Sequence, residues 1–138
     1  MQVKALVVED NPDSAVILRA ILENDGCSVD VVDNGMDALR QLETAMPDVV
    51  LLDLMMPVMS GIEVLEGIRG RPHTARLPVI VVTAKIRDDD VMGGYRCGAD
   101  YYITKPFTAR QLLYGLRLVL GEQATQARAG GKENEGLA

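Results

Sequence analysis

Short aliphatic runs recur along the chain, each bounded by turn chemistry and each followed by a longer segment with helical spacing. Val3 to Val8 is the first run. Asn11-Pro12-Asp13-Ser14 then gives a helix start with proline in the opening turn, and Ala15, Ile17, Leu18, Ile21 and Leu22 continue it at helical spacing until Asn24-Asp25-Gly26 stops it. Ser28 to Val32 predicts a half-buried strand, and Asn34-Gly35 leads into a helix carrying Ala38, Leu39 and Leu42. Val49 to Leu52 has no polar break, as expected of a central parallel strand covered on both faces. Ile62, Val64, Leu65 and Ile68 mark a short helix, and Pro78 opens a strand over Val79 to Val82. Asp88 to Arg96 predicts a helix weakened by Gly93-Gly94, at about 1 kcal/mol per glycine relative to alanine. Tyr101 to Ile103 makes a fifth short strand, and Ala109 to Leu120 an amphipathic helix with Leu112, Leu113, Leu116 and Leu120 on one side.

Five strands alternating with five helices imply right-handed crossovers and a doubly wound parallel α/β sheet. A chain of 138 residues fits one domain. It supports a core without staples, since a domain near this size buries roughly 70% of its unfolded-chain surface. With no Trp, one Phe and four Tyr, aliphatic residues must fill that core. From Gly121 the apolar periodicity vanishes and Gln, Ala, Gly, Lys and Glu dominate. The expected organisation is therefore one domain over 1–120 and, over 121–138, a flexible tail or the truncated start of a linker.

Charge and cysteine usage narrow the function classes. A net charge of −6 argues against a nucleic-acid-binding module while leaving room for an acidic metal site. Cys27 and Cys97 make no disulfide framework or zinc spacing and read as reduced, apolar thiols. No run of eighteen apolar residues spans a membrane, and Met1-Gln2-Val3-Lys4 lacks the apolar stretch of a signal peptide, so a cytoplasmic location is expected.

Ligands of open α/β sheets bind beyond the carboxyl ends of the strands. The five strand ends deliver Glu9-Asp10, Asp33 toward the sheet's edge, Asp53, Thr83-Ala84 and Thr104-Lys105-Pro106. A single aspartate after an apolar strand is ordinarily a turn former. Four chemically matched strand ends in chain order are not ordinary. Crowded carboxylates repel one another, and a hard divalent cation relieves that repulsion. Magnesium takes few carboxylates and keeps room for phosphate oxygens, so the cluster looks like half of a phosphoryl-transfer site. On that reading Asp53 is the nucleophile and Asp10 a direct Mg2+ ligand, with Glu9 completing the pocket through water. Thr83 hydrogen-bonds a phosphoryl oxygen, and Lys105 neutralises its charge.

The set Glu9-Asp10, Asp53-Leu54-Met55-Met56-Pro57 with Gly61, Thr83-Ala84 and Lys105-Pro106-Phe107 resembles the receiver domain of bacterial two-component response regulators (CheY-like) over Val3 to Leu120. The resemblance implies a flavodoxin-like sheet of order 2-1-3-4-5 with five helices. It implies phosphoryl transfer to Asp53 from a histidine kinase or histidine phosphotransfer protein with Mg2+ bound, the backbone carbonyl of Met55 as a further metal ligand, and a cis Lys105-Pro106 bond. It further implies that Thr83 and Tyr102 form a coupled switch pair. Their movement alters the face made by the Asp88–Arg96 helix, the Tyr101–Ile103 strand and the Ala109–Leu120 helix. A downstream protein target and a phosphorylation-dependent homodimer are the expected users of that face; direct nucleic-acid contact and membrane insertion are not expected. Met55 and Lys85 match positions that tune dephosphorylation in the family. Such a protein is a phosphoacceptor switch and not an enzyme with turnover.

Two other readings compete. A haloacid-dehalogenase-type phosphatase also uses an aspartate after a strand but needs a second aspartate two residues on, where this chain has Met55. Flavin or nucleotide binding would need a phosphate loop after the first strand, where Glu9-Asp10 would repel phosphate. Elsewhere, Asp88-Asp89-Asp90 suits a helix N-terminus, and Arg69, Arg71 and Arg76 with His73 read as a solvated basic loop. Met55, Met56 and Met59 form an adaptable apolar rim beside Asp53, suited to a docking kinase helix.

Overall fold

The computed structural model describes residues 2–84 and 98–129, the last eight of them by backbone alone. In chain order these form β1 (Lys4–Val8), α1 (Pro12–Asn24), β2 (Ser28–Val32), α2 (Gly35–Gln41), β3 (Val49–Leu52), α3 (Gly61–Arg69), β4 (Val79–Thr83), β5 (Tyr101–Thr104) and α4 (Ala109–Ala129). The strands make one parallel sheet of order β2-β1-β3-β4-β5, the order expected from the resemblance. The helix expected over Asp88 to Arg96, together with Lys85 and Cys97, lies outside the described residues.

The period of two in each strand sorts the core into two layers. Leu6, Val8, Val50, Leu52, Val79 and Val81 face Ala38 and Leu42 at α2 and Val64, Leu65 and Ile68 of α3. Their strand neighbours Ala5, Val7, Val49, Leu51, Ile80 and Val82 face Leu18 and Leu22 of α1 and Leu112 and Leu116 of α4. Val49–Leu52 lacks a polar break because both its faces are covered. Full burial of each such side chain contributes about 1.5–3 kcal/mol, so two stacked layers stabilise this sheet without disulfides. Cys27 is buried in the second layer, as an apolar residue would be.

Side-chain caps fix the helix starts. Asn11, Asn34 and Ser60 accept from the backbone N–H of Ser14, Asp37 and Glu63 at 3.0, 2.8 and 3.3 Å. Thr108 accepts from Gln111 N at 3.0 Å. The start of α3 touches the end of β3 directly: Gly61 N donates to Leu54 O at 3.0 Å. A Cβ at Gly61 would run into the Asp53 carbonyl oxygen and the Leu54 Cα, both backbone atoms that cannot swing aside. Glycine there lets α3 seat against the loop that carries Asp53.

At the C-terminal end, Gly121 interrupts α4 with φ 66° and ψ −153°, a left-handed φ that favours glycine. The helix that packs on the sheet therefore ends where apolar periodicity ends. Beyond the break the backbone is helical to Ala129, which that periodicity does not foreshadow; Ala, Gln and Arg run high in intrinsic helix propensity. Among the described residues, no helix is long and apolar enough to cross a membrane.

Candidate functional site

Three of the expected site residues sit one position past a strand, held there by one more rung of the sheet ladder. Glu9 N donates to Val32 O at 3.0 Å, Asp53 N to Val8 O at 3.1 Å, and Lys105 N to Thr83 O at 2.9 Å. The sheet thus extends its register to the residues that carry the chemistry, and their side chains inherit its rigidity. Thr83 closes β4 itself, and Asp10 follows Glu9 into solvent. Asp33, beyond the edge strand β2, takes no part in the cluster.

Glu9, Asp10 and Asp53 each offer a carboxylate oxygen, and these oxygens all lie within 4.8 Å of one another. Glu9 and Asp53 are buried, whereas Asp10 is exposed. Lys105 Nζ lies 2.7 Å from Glu9 Oε1 and 3.7 Å from Asp53 Oδ2. One lysine is thus divided between two buried carboxylates. Asp53 Oδ1 accepts from Met55 N at 3.0 Å, and Glu9 Oε2 accepts from Asn11 N at 3.2 Å. Burial raises the Glu9 pKa above the usual carboxylate value, the Lys105 hydrogen bond opposes that rise, and the neighbouring Asp53 charge adds to it. All three donors are hard oxygens in excess of the cations that face them, which is the donor set magnesium selects.

Thr83 is fully buried, and among the described residues its Oγ has no hydrogen-bond partner. A buried hydroxyl without a partner costs about 1–3 kcal/mol. It is therefore poised for any acceptor that arrives. Tyr102 lies level with Val81, two residues before Thr83, and packs half-buried against the core layer on that face. The Lys105–Pro106 peptide bond is cis, as the resemblance implies.

The methionine rim differs from expectation. Met56 is buried and Met59 packs on the core, because the loop after Asp53 folds back under α3. Met55 remains exposed, joined by the fully exposed Val58 at φ 67°. The basic loop differs too: Arg69 is held, not solvated, and donates to the carbonyls of Leu77 and Gly98 and to Asp100. His73 lies apart from the acidic cluster, its Nε2 3.3 Å from Leu42 O. The residue missed by sequence reasoning is Ser14, whose Oγ accepts from Lys105 Nζ at 3.3 Å; a serine in a helix's first turn carries no signal beyond its proximity to Glu9-Asp10.

Comparison with known proteins agrees with this geometry. The chain is 39% identical over 117 residues to the phosphate regulon transcriptional regulatory protein PhoB of Rhizobium meliloti, covering 85% of this chain and 52% of that protein. It is 42% identical over 125 residues to the sensory transduction protein RegX3 of Mycolicibacterium smegmatis, covering 91% and 54%. The chain thus spans about half the length of these curated relatives. Among solved structures, the receiver domain of a sensor histidine kinase of Pseudomonas aeruginosa, which has a magnesium ion coordinated in its active site cleft, superposes with a TM-score of 0.82 at 30% identity, covering 88% of this chain and 100% of that one. None of these supports the phosphatase alternative. The family model described as the response regulator receiver domain matches residues 5–117, a stretch that contains Glu9, Asp10, Asp53, Thr83 and Lys105, and the chain belongs to that family.

Proposed function

We propose that this receiver domain takes a phosphoryl group on Asp53 from a histidine kinase or histidine phosphotransfer protein, with Mg2+ held by Asp10, Asp53, the Met55 carbonyl and, through water, Glu9. The observation that carries the proposal is the meeting of three carboxylates within 4.8 Å beside a lysine that pairs with two of them. Bound magnesium would screen the carboxylates and the incoming phosphoryl oxygens from one another. A free Asp53 oxygen forms the new O–P bond as the bond from phosphorus to the donor breaks, and the bonding pair leaves with the donor. Met55 N, already on Asp53 Oδ1, orients the carboxylate. Lys105 neutralises charge on the transferred group, and the Thr83 hydroxyl supplies a hydrogen bond that no described neighbour now uses.

From there we infer an outward route through Thr83 and Tyr102, which share one face of the sheet's last two strands. Movement of that pair would alter the surface around β5 and α4 and so control a downstream protein, or pairing with a second copy. The unit is residues 1–120 in a cytoplasmic setting, with 121–138 a tail or the beginning of a linker. It works as a switch without turnover of external substrate.

Two measurements test this. Incubation with acetyl phosphate should add one phosphoryl group only when Mg2+ is present, and peptide mass mapping should locate it at Asp53. A label independent of the metal, or one found on another residue, overturns the reading. The second concerns pH. With the Glu9 pKa raised by burial, protonation of Glu9 sets in at a higher pH than for an exposed glutamate. Protons and magnesium compete for the pocket, so affinity falls as pH falls through that raised value, with up to about one proton released per ion bound. The same shift costs folding stability as pH rises, because the ionised form is the one burial disfavours. Calorimetric titration of Mg2+ at pH 8 and pH 5.5 should show weaker binding at the lower value. Affinity that stays level while Glu9 itself titrates, followed by NMR in the same pH series, would exclude Glu9 from the metal pocket.

A further inference from the structure

The first turn of α1 closes a hydrogen-bond circuit with the site. Glu9 Oε2 accepts from Asn11 N at 3.2 Å, and Asn11 Oδ1 accepts from Ser14 N at 3.0 Å. Ser14 Oγ accepts from Lys105 Nζ at 3.3 Å, and Lys105 Nζ donates back to Glu9 Oε1 at 2.7 Å. Ser14 is the third residue after the helix cap Asn11, and the third residue of a helix ordinarily turns back onto its own cap. The other described helices obey that habit: Asp37 accepts from the Asn34 side chain, Glu63 from Ser60 N, and Gln111 from Thr108 N. At α1 the cap's backbone N–H is already taken by Glu9. The Ser14 hydroxyl is thereby released from capping and meets Lys105.

We propose that Ser14 is a positioning residue for phosphoryl transfer, holding the Lys105 ammonium between Glu9 and Asp53. Lys105 ends a flexible four-carbon stem and can rotate its three donors freely. Its shortest contact is with Glu9, and Asp53 lies beyond hydrogen-bond reach at 3.7 Å. Without a third anchor the ammonium settles on Glu9 and is lost to the group arriving on Asp53. Ser14 supplies that anchor from α1 and adds no charge to an already acidic pocket. When Lys105 turns from Glu9 toward the phosphoryl oxygens, Ser14 remains its neutral second acceptor.

This inference rests on the phosphoacceptor reading above, and one experiment separates the two. Threonine and valine share shape and helix propensity, so Ser14→Thr and Ser14→Val differ at the hydroxyl alone. Initial rates of labelling by acetyl phosphate are measured across a Mg2+ series for the full chain and both variants, with thermal midpoints alongside. Ser14→Val should lower the maximal rate by about five- to tenfold, as a displaced catalytic group does, with the half-saturating Mg2+ concentration unchanged. Ser14→Thr should restore the rate to within about twofold. Should valine unfold the chain, Ser14→Ala replaces it as the variant without a hydroxyl. Equal rates in threonine and valine (or alanine) variants, or a loss confined to Mg2+ affinity, overturn the role of Ser14. No label on the unaltered chain would instead overturn the phosphoacceptor reading.

Discussion

Replacing Asp53 by asparagine is expected to abolish labelling by acetyl phosphate at every Mg2+ concentration while leaving the protein folded. The two halves of this expectation have different physical origins. Asparagine keeps the shape of the side chain and an acceptor oxygen for Met55 N, now 3.0 Å from Asp53 Oδ1. The backbone rung from residue 53 to Val8 O is untouched. The substitution removes one of three crowded carboxylates, which relieves repulsion with Glu9 and Asp10. Lys105 loses only its longer ion pair and keeps Glu9. The thermal midpoint should therefore stay level or rise. Chemistry fails because an amide is no nucleophile toward phosphorus and brings no charge to a metal site. Mass spectrometry of the intact chain reads the label, and a thermal melt reads the fold. A labelled Asp53→Asn protein would move the acceptor to another residue; a collapsed one would give Asp53 a structural role that its buried, repelled position does not suggest.

Much of this was legible in the sequence because the sheet obeys simple rules. The unbroken aliphatic run Val49 to Leu52 could only be covered on both faces, and it lies at the centre of the sheet. The turn residues Asn11 and Asn34, which lead into helices in the sequence, act as helix caps. Glu9, Asp53, Thr83 and Lys105 were found by asking what each strand carries past its carboxyl end, and they meet because parallel register brings equivalent ends together. What sequence could not supply was the direction of side chains outside that register. Ser14 meets Lys105 only because Glu9 displaces it from capping, a three-residue bargain no spacing rule expresses. Met56 and Met59 read as a rim like Met55, but the turn back into α3 takes them into the core. Arg69 read as a member of a basic loop, because the carbonyls it serves come from segments far along the chain.

Arg69 is where a single substitution should cost most in stability. It is the last residue of α3, and its side chain is only 19% exposed. Nε and Nη2 both donate to Gly98 O, at 2.9 and 2.6 Å, and Nη1 donates to Leu77 O at 2.5 Å. Nη2 also meets Asp100 Oδ2 at 2.9 Å, and the same oxygen accepts from Val79 N at 2.8 Å. One guanidinium thus gathers the entry to β4, the turn at Gly98 and the entry to β5. Gly98 is shaped to receive it: φ is +103°, and a Cβ there would press on Arg69 Nε at 2.7 Å. Arg69→Ala strands partly buried carbonyls and leaves Asp100 without its cation. Each buried acceptor left unmet costs about 1–3 kcal/mol, so we expect a loss of roughly 3 kcal/mol. That is a large share of the 5–15 kcal/mol typical of whole domains, and the thermal midpoint should fall by about 10 °C. Lysine keeps the charge without the planar fork, so Arg69→Lys should recover less than half of the loss. The acidic cluster stands at the opposite, carboxyl ends of the strands, and the first expectation for Arg69→Ala below its melting range is therefore labelling of Asp53 at close to the unaltered rate. A denaturant melt with labelling beside it separates the outcomes. A lysine variant as stable as the parent would reduce Arg69 to a point charge near Asp100, and its contacts with Gly98 and Leu77 to incidental neighbours.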